Sequence, residues 1–513
     1  MDEMWGGIAD GGHWHIAPFR GNMLSRMKRV VLAIAVITGT STPSLMAQTA
    51  TLPELPQVSG PFTLEAVTDP LTGKSQFRYD SHDVPPVERV RPGEDIHIEY
   101  INRLSRDSKE KCVMMPCTNG TNLHFHGLHV SPQKPQDDVL TMSAAPGETL
   151  RYTVEVPHNQ PPGLYWYHTH QHMESYRQDL DGMSGAIVVE GIDRYLPELR
   201  AMEERIMVLR DVELDENGAQ RTMLMNKVAM QTPACGHNSE QPERVFTING
   251  VVRPQIEIAP GERQFWRIVN ASPDLYADLE IDGGSFEVVA LDGMPFAFHD
   301  PGTRSRTLSH LLLAPAGRME AIVTGPPADH RSTFHTRCFD TGSDGDPNPA
   351  MVLADIVPRR GRSVLRTMVP DSGTPVYESV PAAATQSAEH AEPQFTAVFT
   401  EDKSGFYING KKFDMDSPPM LTVDIGSYQH WRVENRTNEV HPFHIHQVHF
   451  LVYAVNGKPL QQTEWLDTVN VPVEGSVDLV MDFTDPIIRG TSLFHCHLLN
   501  HEDKGMMAKV VFR

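Results

Sequence analysis

A segment that occurs three times constrains the fold of this chain more than any other feature. In each copy a glycine precedes an asparagine by nine residues, and an alternating, strand-like run lies between them. The copies are RPGEDIHIEYINR (91–103), APGERQFWRIVNA (259–271) and DIGSYQHWRVENR (424–436). Copies about 165 residues apart are too widely spaced for a solenoid, so the sequence predicts three copies of one domain.

The segments around each copy are typical of short strands. ETLRYTVEVP, RIMVLRDVEL, MEAIVTG and SVDLVMDF are examples, and helical periodicity is scarce. The 37 glycines and 40 prolines suit many turns between short strands. The pattern predicts an all-β chain of antiparallel β-sandwiches. The predicted domains are 52–195, 196–358 and 392–513, and the polar, Pro- and Ser-rich stretch 359–391 is predicted to be a linker.

Four clusters of histidine are the chemical feature of the sequence. They are His124 and His126 in LHFHG, His168 and His170 in YWYHTHQH, His441, His444 and His446 in HPFHIH, and His495, Cys496, His497 and His501 in LFHCHLLNHE. The first two clusters lie in the first predicted domain and the last two in the third. The middle domain, 196–358, has no comparable pair and is interpreted as a spacer without metal ligands. A lone histidine is usually a surface or core residue, but four His-x-His clusters by coincidence are very improbable.

The spacing within the clusters has a structural reason. Side chains two residues apart in a strand point to the same side, so each His-x-His pair presents two imidazoles together. In HCH, His495 and His497 face one way and Cys496 faces the other. If both faces hold metals, two short covalent paths connect the metal of the cysteine to those of the histidines. This arrangement is suited to moving electrons.

The types of ligand indicate copper. Two histidines, a thiolate and a weak axial methionine form a blue-copper electron-transfer site, and His441, Cys496, His501 and Met506 supply that set. The remaining eight histidines could hold several further copper ions. Structural zinc sites usually contain paired cysteines in closed four-ligand sites, so one cysteine among ten histidines fits zinc poorly.

The motifs HxHG, HxH, HxxHxH and HCHxxxHxxxxM, in this order, resemble those of the multicopper oxidases, the family of laccases, ascorbate oxidase and bacterial copper efflux oxidases. The resemblance covers nearly the whole mature chain. It implies three tandem cupredoxin-like Greek-key β-sandwich domains and four coppers per chain. By position, it implies a type 1 site of His441, Cys496 and His501 with Met506 axial, a type 2 pair of His124 and His444, and type 3 ligands His126, His168, His170, His446, His495 and His497.

The implied reaction is one-electron oxidation of a reducing substrate at the type 1 copper. It is coupled to four-electron reduction of O2 to water at a trinuclear cluster between the first and third domains. Protons must also arrive, so carboxylates are expected near the cluster. Glu502 matches the acidic proton relay of bacterial members. Asp137 resembles the family's acidic residue near the type 2 copper, with the adjacent Asp138 left open as the alternative.

The reducing substrate is the least constrained part of the prediction. An axial Met506 is expected to lower the type 1 potential relative to leucine or phenylalanine, which favours phenols or Cu(I). A laccase-like phenol oxidase is the leading hypothesis, and an exported cuprous oxidase in copper tolerance is the alternative. The densest methionine group, TMLMNKVAM (222–230), supports the alternative only weakly, because core packing explains such methionines more often. A non-catalytic electron-transfer protein would need only the type 1 site.

The N-terminus is typical of a targeting segment. Arg26, Lys28 and Arg29 precede the apolar run 30–37, and small and polar residues follow. This layout predicts a secretory signal peptide within 1–47, preceded by an N-terminal extension, with a buried N-terminal element as the alternative. The run is too short to span a bilayer. We therefore expect an exported, periplasmic or extracellular protein, with no membrane span in the mature chain.

Charge and cysteine content add two expectations. The net charge of -22 argues against a nucleic acid or an anionic membrane as partner. The resemblance implies a small reducing substrate and O2 as partners, and we expect a monomer. Apart from Cys496, four cysteines remain, an even number that fits disulfides in an oxidising compartment. They are Cys112, Cys117, Cys235 and Cys338. Three pairings stay open, and CVMMPC (112–117) also allows soft-metal binding.

Overall fold

The computed structural model describes residues 50–106, 117–213, 244–328, 330–359, 373–375 and 392–513. The predicted leader within 1–47, most of the predicted linker 359–391 and the methionine group 222–230 lie outside these residues, as do Cys112 and Cys235. Cys117 and Cys338 are disulfide-bonded and Cys496 is free, which agrees with the sequence prediction for these three.

The first domain consists of nine strands and one short helix within the described residues. Their bounds are β1 Gln57–Val58, β2 Phe62–Thr68, β3 Ser75–Arg78, β4 Val87–Val90, β5 Asp95–Arg103, β6 His124–His126, β7 Thr149–Glu155, β8 Gly163–His168, α1 Ser175–Leu180 and β9 Ser184–Val189. Two 3₁₀ turns follow at Ile192–Arg194 and Pro197–Ala201.

The second domain has twelve strands and one helical turn in its described part. They are β10 Glu203–Glu213, β11 Arg244–Ile248, β12 Gln255–Ile258, β13 Arg263–Asn270, β14 Ala277–Ile281, β15 Phe286–Leu291, β16 Met294–Pro295, α2 Phe296–His299, β17 Arg306–Leu308, β18 His310–Leu313, β19 Arg318–Thr324, β20 Ser332–Arg337 and β21 Met351–Pro358.

The third domain has eleven strands and a short helix close to its C-terminus. They are β22 Phe395–Asp402, β23 Gly405–Ile408, β24 Leu421–Val423, β25 Ser427–Asn435, β26 His441–Ile445, β27 Phe450–Val455, β28 Lys458–Leu466, β29 Thr468–Val471, β30 Ser476–Phe483, β31 Gly490–Cys496, α3 Leu499–Asp503 and β32 Met507–Phe512, with a 3₁₀ turn at Pro486–Ile488.

Each domain contains two sheets in the part of the chain that the structure describes. The sheet orders are β1-β4-β9-β8-β6 with β3-β2-β5-β7, then β11-β10-β13-β19-β15-β16 (β17 pairing with β15) with β12-β21-β20-β14-β18, and finally β23-β22-β25-β30-β27-β28 with β24-β32-β31-β26-β29. This confirms the predicted all-β, three-domain architecture. The strands predicted from ETLRYTVEVP, RIMVLRDVEL, MEAIVTG and SVDLVMDF are β7, β10, β19 and β30.

The predicted antiparallel pairing holds for most strand pairs but not for all. Every one of these six sheets contains a parallel pair, for example β2 with β5, β10 with β13 and β22 with β25. Turn signals in a sequence report hairpins between neighbouring strands, which are antiparallel. Parallel strands are not connected by a hairpin, so the sequence contains no local pattern that predicts their pairing.

The asparagine of the repeat has the same role in all three domains. Asn102, Asn270 and Asn435 are buried near the ends of β5, β13 and β25. Each side-chain amide donates to backbone oxygens of the following loops, and each side-chain oxygen accepts from the backbone N–H two residues later. Because buried backbone groups must be hydrogen-bonded, one asparagine satisfies several loop groups at once. This gives a structural reason for the asparagine of the repeat.

The three domains pack closely against one another. An apolar cluster that includes Leu164 and Trp166 of β8 and Val269 of β13 lies between the first and second domains. Tyr276 of the second domain packs in the core of the third, and its hydroxyl donates to the Val440 carbonyl at 2.9 Å. Within the described residues, no helix has the length and apolar character needed to cross a membrane.

Candidate metal centre

Two pairs of strands position most of the predicted ligands. In the first domain, β6 pairs with β8 so that His124 lies opposite His168. In the third domain, β26 pairs with β31 so that His444 lies opposite His495. Directly opposed residues share one face of a sheet, so each pair of strands presents a row of imidazoles. His170, His446 and His497 continue these rows just beyond the strand ends.

The two rows meet between the first and third domains. The ring of His124 stacks on that of His446 with centroids 3.7 Å apart, and His126 stacks on His444 at 3.9 Å. The Nε2 atom of His495 lies 3.2 Å from that of His446. The structure thus brings together eight of the predicted ligands, the eight-histidine cluster: His124, His126, His168, His170, His444, His446, His495 and His497.

Several rings of this cluster are held by one nitrogen while the other remains available. The anchoring contacts are His124 Nδ1 to Asp137 (2.9 Å), His126 Nε2 to Asp467 (3.1 Å), His168 Nδ1 to the Thr169 carbonyl (2.9 Å) and His444 Nδ1 to the Asp467 carbonyl (2.8 Å). The opposite nitrogens are buried and have no hydrogen-bond partner among the described residues. Metal-binding histidines typically have this arrangement, so the donor set fits metal ions.

A second group of predicted ligands surrounds the side chain of Cys496. Its Sγ lies 3.4 Å from His441 Nδ1 and 3.9 Å from His501 Nδ1, and the two Nδ1 atoms are 3.2 Å apart. The outer Nε2 of His441 lies 2.8 Å from the Thr437 hydroxyl. Met506 is fully buried in the same core as Cys496. A thiolate with two imidazoles is the donor set of an electron-transfer copper site.

Comparison with known families identifies the chain. Three sequence models, each described as multicopper oxidase, match residues 73–193, 216–355 and 381–513. The chain belongs to the multicopper oxidase family. Its members are copper-dependent oxidoreductases that use O2 as electron acceptor, so this protein is an enzyme of that class.

Individual relatives of this oxidase are distant. Multicopper oxidase mco of Staphylococcus haemolyticus is 22% identical over 442 residues, which are 84% of this chain and 83% of that protein. A laccase of Bacillus subtilis is 25% identical over 391 residues, 70% of this chain and 72% of the laccase. The solved multicopper oxidase of Campylobacter jejuni, described as a metallo-oxidase, has a TM-score of 0.64 at 23% identity and covers 91% and 98% of the two chains.

Burial favours the neutral form of most of the predicted ligand imidazoles. It lowers the pKa of His441 and of His495 to about 3, and it lowers the pKa of the other ligands for which a shift is resolved, His126, His168, His170, His444, His446, His497 and His501. Neutral imidazole is the form that binds metals. Burial raises the pKa of the Cys496 thiol, which must lose its proton when it binds a metal.

The two predicted carboxylates both lie at the eight-histidine cluster. Asp137 is buried, contacts His124 Nδ1, and accepts from Gln447 Nε2 at 2.6 Å. Among the described residues, the side chain of the neighbouring Asp138 hydrogen-bonds with Thr141 in an exposed turn, so Asp137 is the one of the two that contacts the cluster. Glu502 Oε2 lies 3.3 Å from His495 Nδ1, and burial raises its pKa, with a further contribution from Asp503.

Sequence reasoning missed Asp467 and Arg318. Asp467 lies between β28 and β29 and forms an ion pair with Arg318 of the middle domain at 2.6 Å. Burial alone raises the pKa of Asp467, but the Arg318 guanidinium and its hydrogen bonds bring it down to about 2. A single aspartate in WLDTV and an arginine 149 residues earlier share no local pattern, so no sequence signal connected them.

A pocket beside His501 was also missed. Its lining includes three carboxylates, Glu439 from the third domain with Asp274 and Asp346 from the middle domain. Glu439 Oε2 lies 3.5 Å from His501 Nε2, and burial, with help from Asp346, raises the pKa of Glu439 to about 9. Burial raises the pKa of Asp274 to about 7. The middle domain therefore contributes acidic groups next to one of the predicted type 1 ligands.

Proposed function

We propose that this enzyme holds four copper ions per chain. A type 1 copper would be bound by His441, Cys496 and His501 with Met506 axial. A type 2 and two type 3 coppers would be bound by the eight-histidine cluster. When bound, copper supplies one-electron oxidation of a reducing substrate at the first site and four-electron reduction of O2 to water at the second. The position of Cys496 between His495 and His497 carries this proposal, because one tripeptide reaches both groups of ligands.

The protein's own groups have distinct tasks in this scheme. His495 and His497 connect Cys496 covalently to the eight-histidine cluster and so provide the shortest path between the two sites. Asp137 orients the ring of His124 through its Nδ1 atom. Glu502 lies in contact range of His495 and His170, which suits a carboxyl that holds and passes protons to the cluster.

Two classes of reducing substrate are candidates. The sequence favours a phenol, and a Bacillus subtilis relative is a laccase. The pocket beside His501 supports the second candidate, a cation such as Cu(I), because the carboxyl groups of Glu439, Asp274 and Asp346 converge there. Burial keeps the carboxyl group of Glu439 protonated near neutral pH, but such a group can release its proton when a cation binds, and the resulting carboxylate attracts that cation. The acidic lining of this pocket therefore supports the cuprous oxidase over the phenol oxidase. We further propose that the enzyme is exported and monomeric.

Oxygen uptake by the copper-loaded enzyme tests both proposals. Uptake is compared with Cu(I), a dimethoxyphenol and bilirubin as reductants, and the heat-denatured enzyme corrects for spontaneous oxidation. The oxidase proposal requires one O2 consumed for every four electrons donated by at least one reductant. Protein that contains four coppers by metal analysis and consumes no O2 with any of them would refute it. A kcat/KM for the phenol that exceeds the value for Cu(I) would decide against the cuprous oxidase.

A further inference from the structure

The middle domain reaches the eight-histidine cluster through Arg318. This residue begins β19 and is fully buried. Its guanidinium donates two parallel hydrogen bonds to Asp467, from Nη1 to Oδ1 at 2.8 Å and from Nη2 to Oδ2 at 2.6 Å. Its other N–H groups donate to the backbone carbonyls of Leu164, Ala316 and Asp292. A planar donor with every N–H engaged has one orientation available, so Arg318 fixes the plane of the Asp467 carboxylate.

Asp467 in turn holds two rings of the cluster, one from each outer domain. Its Oδ1 accepts from His126 Nε2 at 3.1 Å, and its backbone carbonyl accepts from His444 Nδ1 at 2.8 Å. A carboxylate and a carbonyl only accept, so both of these ring nitrogens carry hydrogen. His126 is thereby left with Nδ1 as its available nitrogen, whereas His444 is left with Nε2. The carboxylate therefore sets both the tautomer and the rotation of His126.

The glycine of LHFHG makes room for this contact. Gly127 has a φ of +84°, and a Cβ at this position would lie 2.4 Å from Arg318 Nη2 and 2.6 Å from Asp467 Oδ2. Neither atom can move away, because each is held by the ion pair. Residue 127, next to His126, must therefore lack a side chain. Only then can the ion pair between the second and third domains contact the first domain.

We propose that Arg318 is a positioning residue of the copper cluster: by holding Asp467 in a fixed plane it orients His126 with Nδ1 toward the metals. This inference rests on the proposed function, since it assigns His126 to a copper site. It gives the middle domain, which supplies no histidine to the cluster within the described residues, a direct part in building the oxygen-reducing centre. Residues that orient metal ligands in this way typically change metal affinity by about 10- to 100-fold when they are lost.

The test compares two buried arginines of the same domain. Arg318→Met removes the contact with Asp467. Arg267→Met is the matched control, because Arg267 is equally buried on the adjacent strand β13 and pairs with Glu204 and Glu320, away from the histidines. Copper per chain is measured by metal analysis as free copper is lowered with a chelator. The type 2 signal is followed by electron paramagnetic resonance and the type 1 site by its blue absorption.

We expect Arg318→Met to keep its blue absorption and to release the cluster coppers at about 10- to 100-fold higher free copper than the wild type. Arg267→Met is expected to release copper as the wild type does. Equal copper release by Arg318→Met and the wild type would overturn the inference, and so would equal losses in the two variants. If the wild-type protein binds only one copper, both the proposed function and this inference are refuted.

Arg318→Lys separates positioning from charge and serves if Arg318→Met does not fold. Lysine keeps the positive charge beside Asp467, but a single ammonium cannot hold both carboxylate oxygens in one plane. We expect this variant to fold and still to release cluster copper earlier than the wild type, with an altered type 2 signal. If Arg318→Lys has the copper affinity and type 2 signal of the wild type, positive charge alone is sufficient. The proposal that the planar guanidinium of Arg318 positions Asp467 would then be wrong.

Discussion

The Sγ atom of Cys496 lies 3.4 Å from Nδ1 of His441, although fifty-five residues separate them in the chain. The register of two strands causes this proximity, because Cys496 on β31 pairs with Phe443 on β26. His441 begins β26, and the same strand carries His444 into the eight-histidine cluster. One antiparallel strand pair therefore supplies ligands to both proposed copper sites.

The first prediction concerns Cys496→Ser. A serine hydroxyl is a poor ligand for blue copper, so this variant is expected to lose the blue absorption and substrate-driven O2 uptake. The eight histidines remain, so metal analysis is expected to find three coppers per chain instead of four. A variant that stays blue would show that the type 1 assignment is wrong. Loss of all four coppers would contradict the separation of the two sites.

The second prediction concerns Asp137→Asn, with Asp138→Asn as its matched control. Asp137 accepts from His124 Nδ1, the Phe125 N–H and Gln447, and an asparagine can offer only one oxygen and no charge. We expect the cluster to bind copper about 10- to 100-fold more weakly, measured as the free copper at which the type 2 signal is lost. Asp138→Asn is expected to behave as the wild type, because among the described residues the Asp138 side chain hydrogen-bonds only with Thr141, away from the histidines. Equal effects in the two variants would exclude a specific role for Asp137.

The third prediction concerns Glu439→Gln in the pocket beside His501. If the substrate is a cation, removal of the carboxyl group is expected to raise the KM for Cu(I) about tenfold, equivalent to ~1.4 kcal/mol of binding. The KM for a dimethoxyphenol is expected to stay the same or fall. Steady-state O2 uptake with both reductants measures the difference. The blue absorption is the control, because it shows whether His501 still binds copper. An equal change of KM for both reductants would argue against a cation pocket.

The fold was predictable because its signals are local and repeated. The spacing of Gly93 and Asn102 recurs in all three domains, and the three Asn side chains make the same loop contacts in the structure. The histidine clusters were also visible, because strand alternation places residues two apart on one face. Each predicted ligand histidine lies in one of the two groups, although the sequence alone could not show which nitrogen of each ring is available.

The supporting contacts could not be predicted, because they depend on long-range packing. Asp467 contacts His126, which is 341 residues away in the chain, and Arg318, which is 149 residues away. No pattern in the sequence links such distant residues. The acidic pocket beside His501 likewise combines Glu439 with Asp274 of another domain. Single buried charges of this kind look like surface residues in a sequence, where burial is not visible.

The last prediction concerns a buried carboxyl group outside the two groups of proposed copper ligands. Glu88 on β4 is 1% exposed, and its Oε2 has no hydrogen-bond partner among the described residues. Burial raises its pKa from 4.5 to about 8. A group whose pKa is higher in the folded state stabilises the fold below its unfolded pKa, and this contribution is lost as pH rises through the folded value. The folded protein is therefore expected to lose stability between pH 4.5 and about 8 on account of Glu88.

Glu88→Gln removes this dependence, since glutamine is neutral at every pH. The variant is expected to unfold at a higher temperature than the wild type at pH 8, with a smaller difference at pH 5, and each unit of pKa shift is worth about 1.4 kcal/mol. Glu155→Gln on β7 is the control, because Glu155 is exposed. Thermal unfolding at the two pH values measures both variants. A difference that does not grow with pH would show that folding does not raise the pKa of Glu88, and would contradict the prediction.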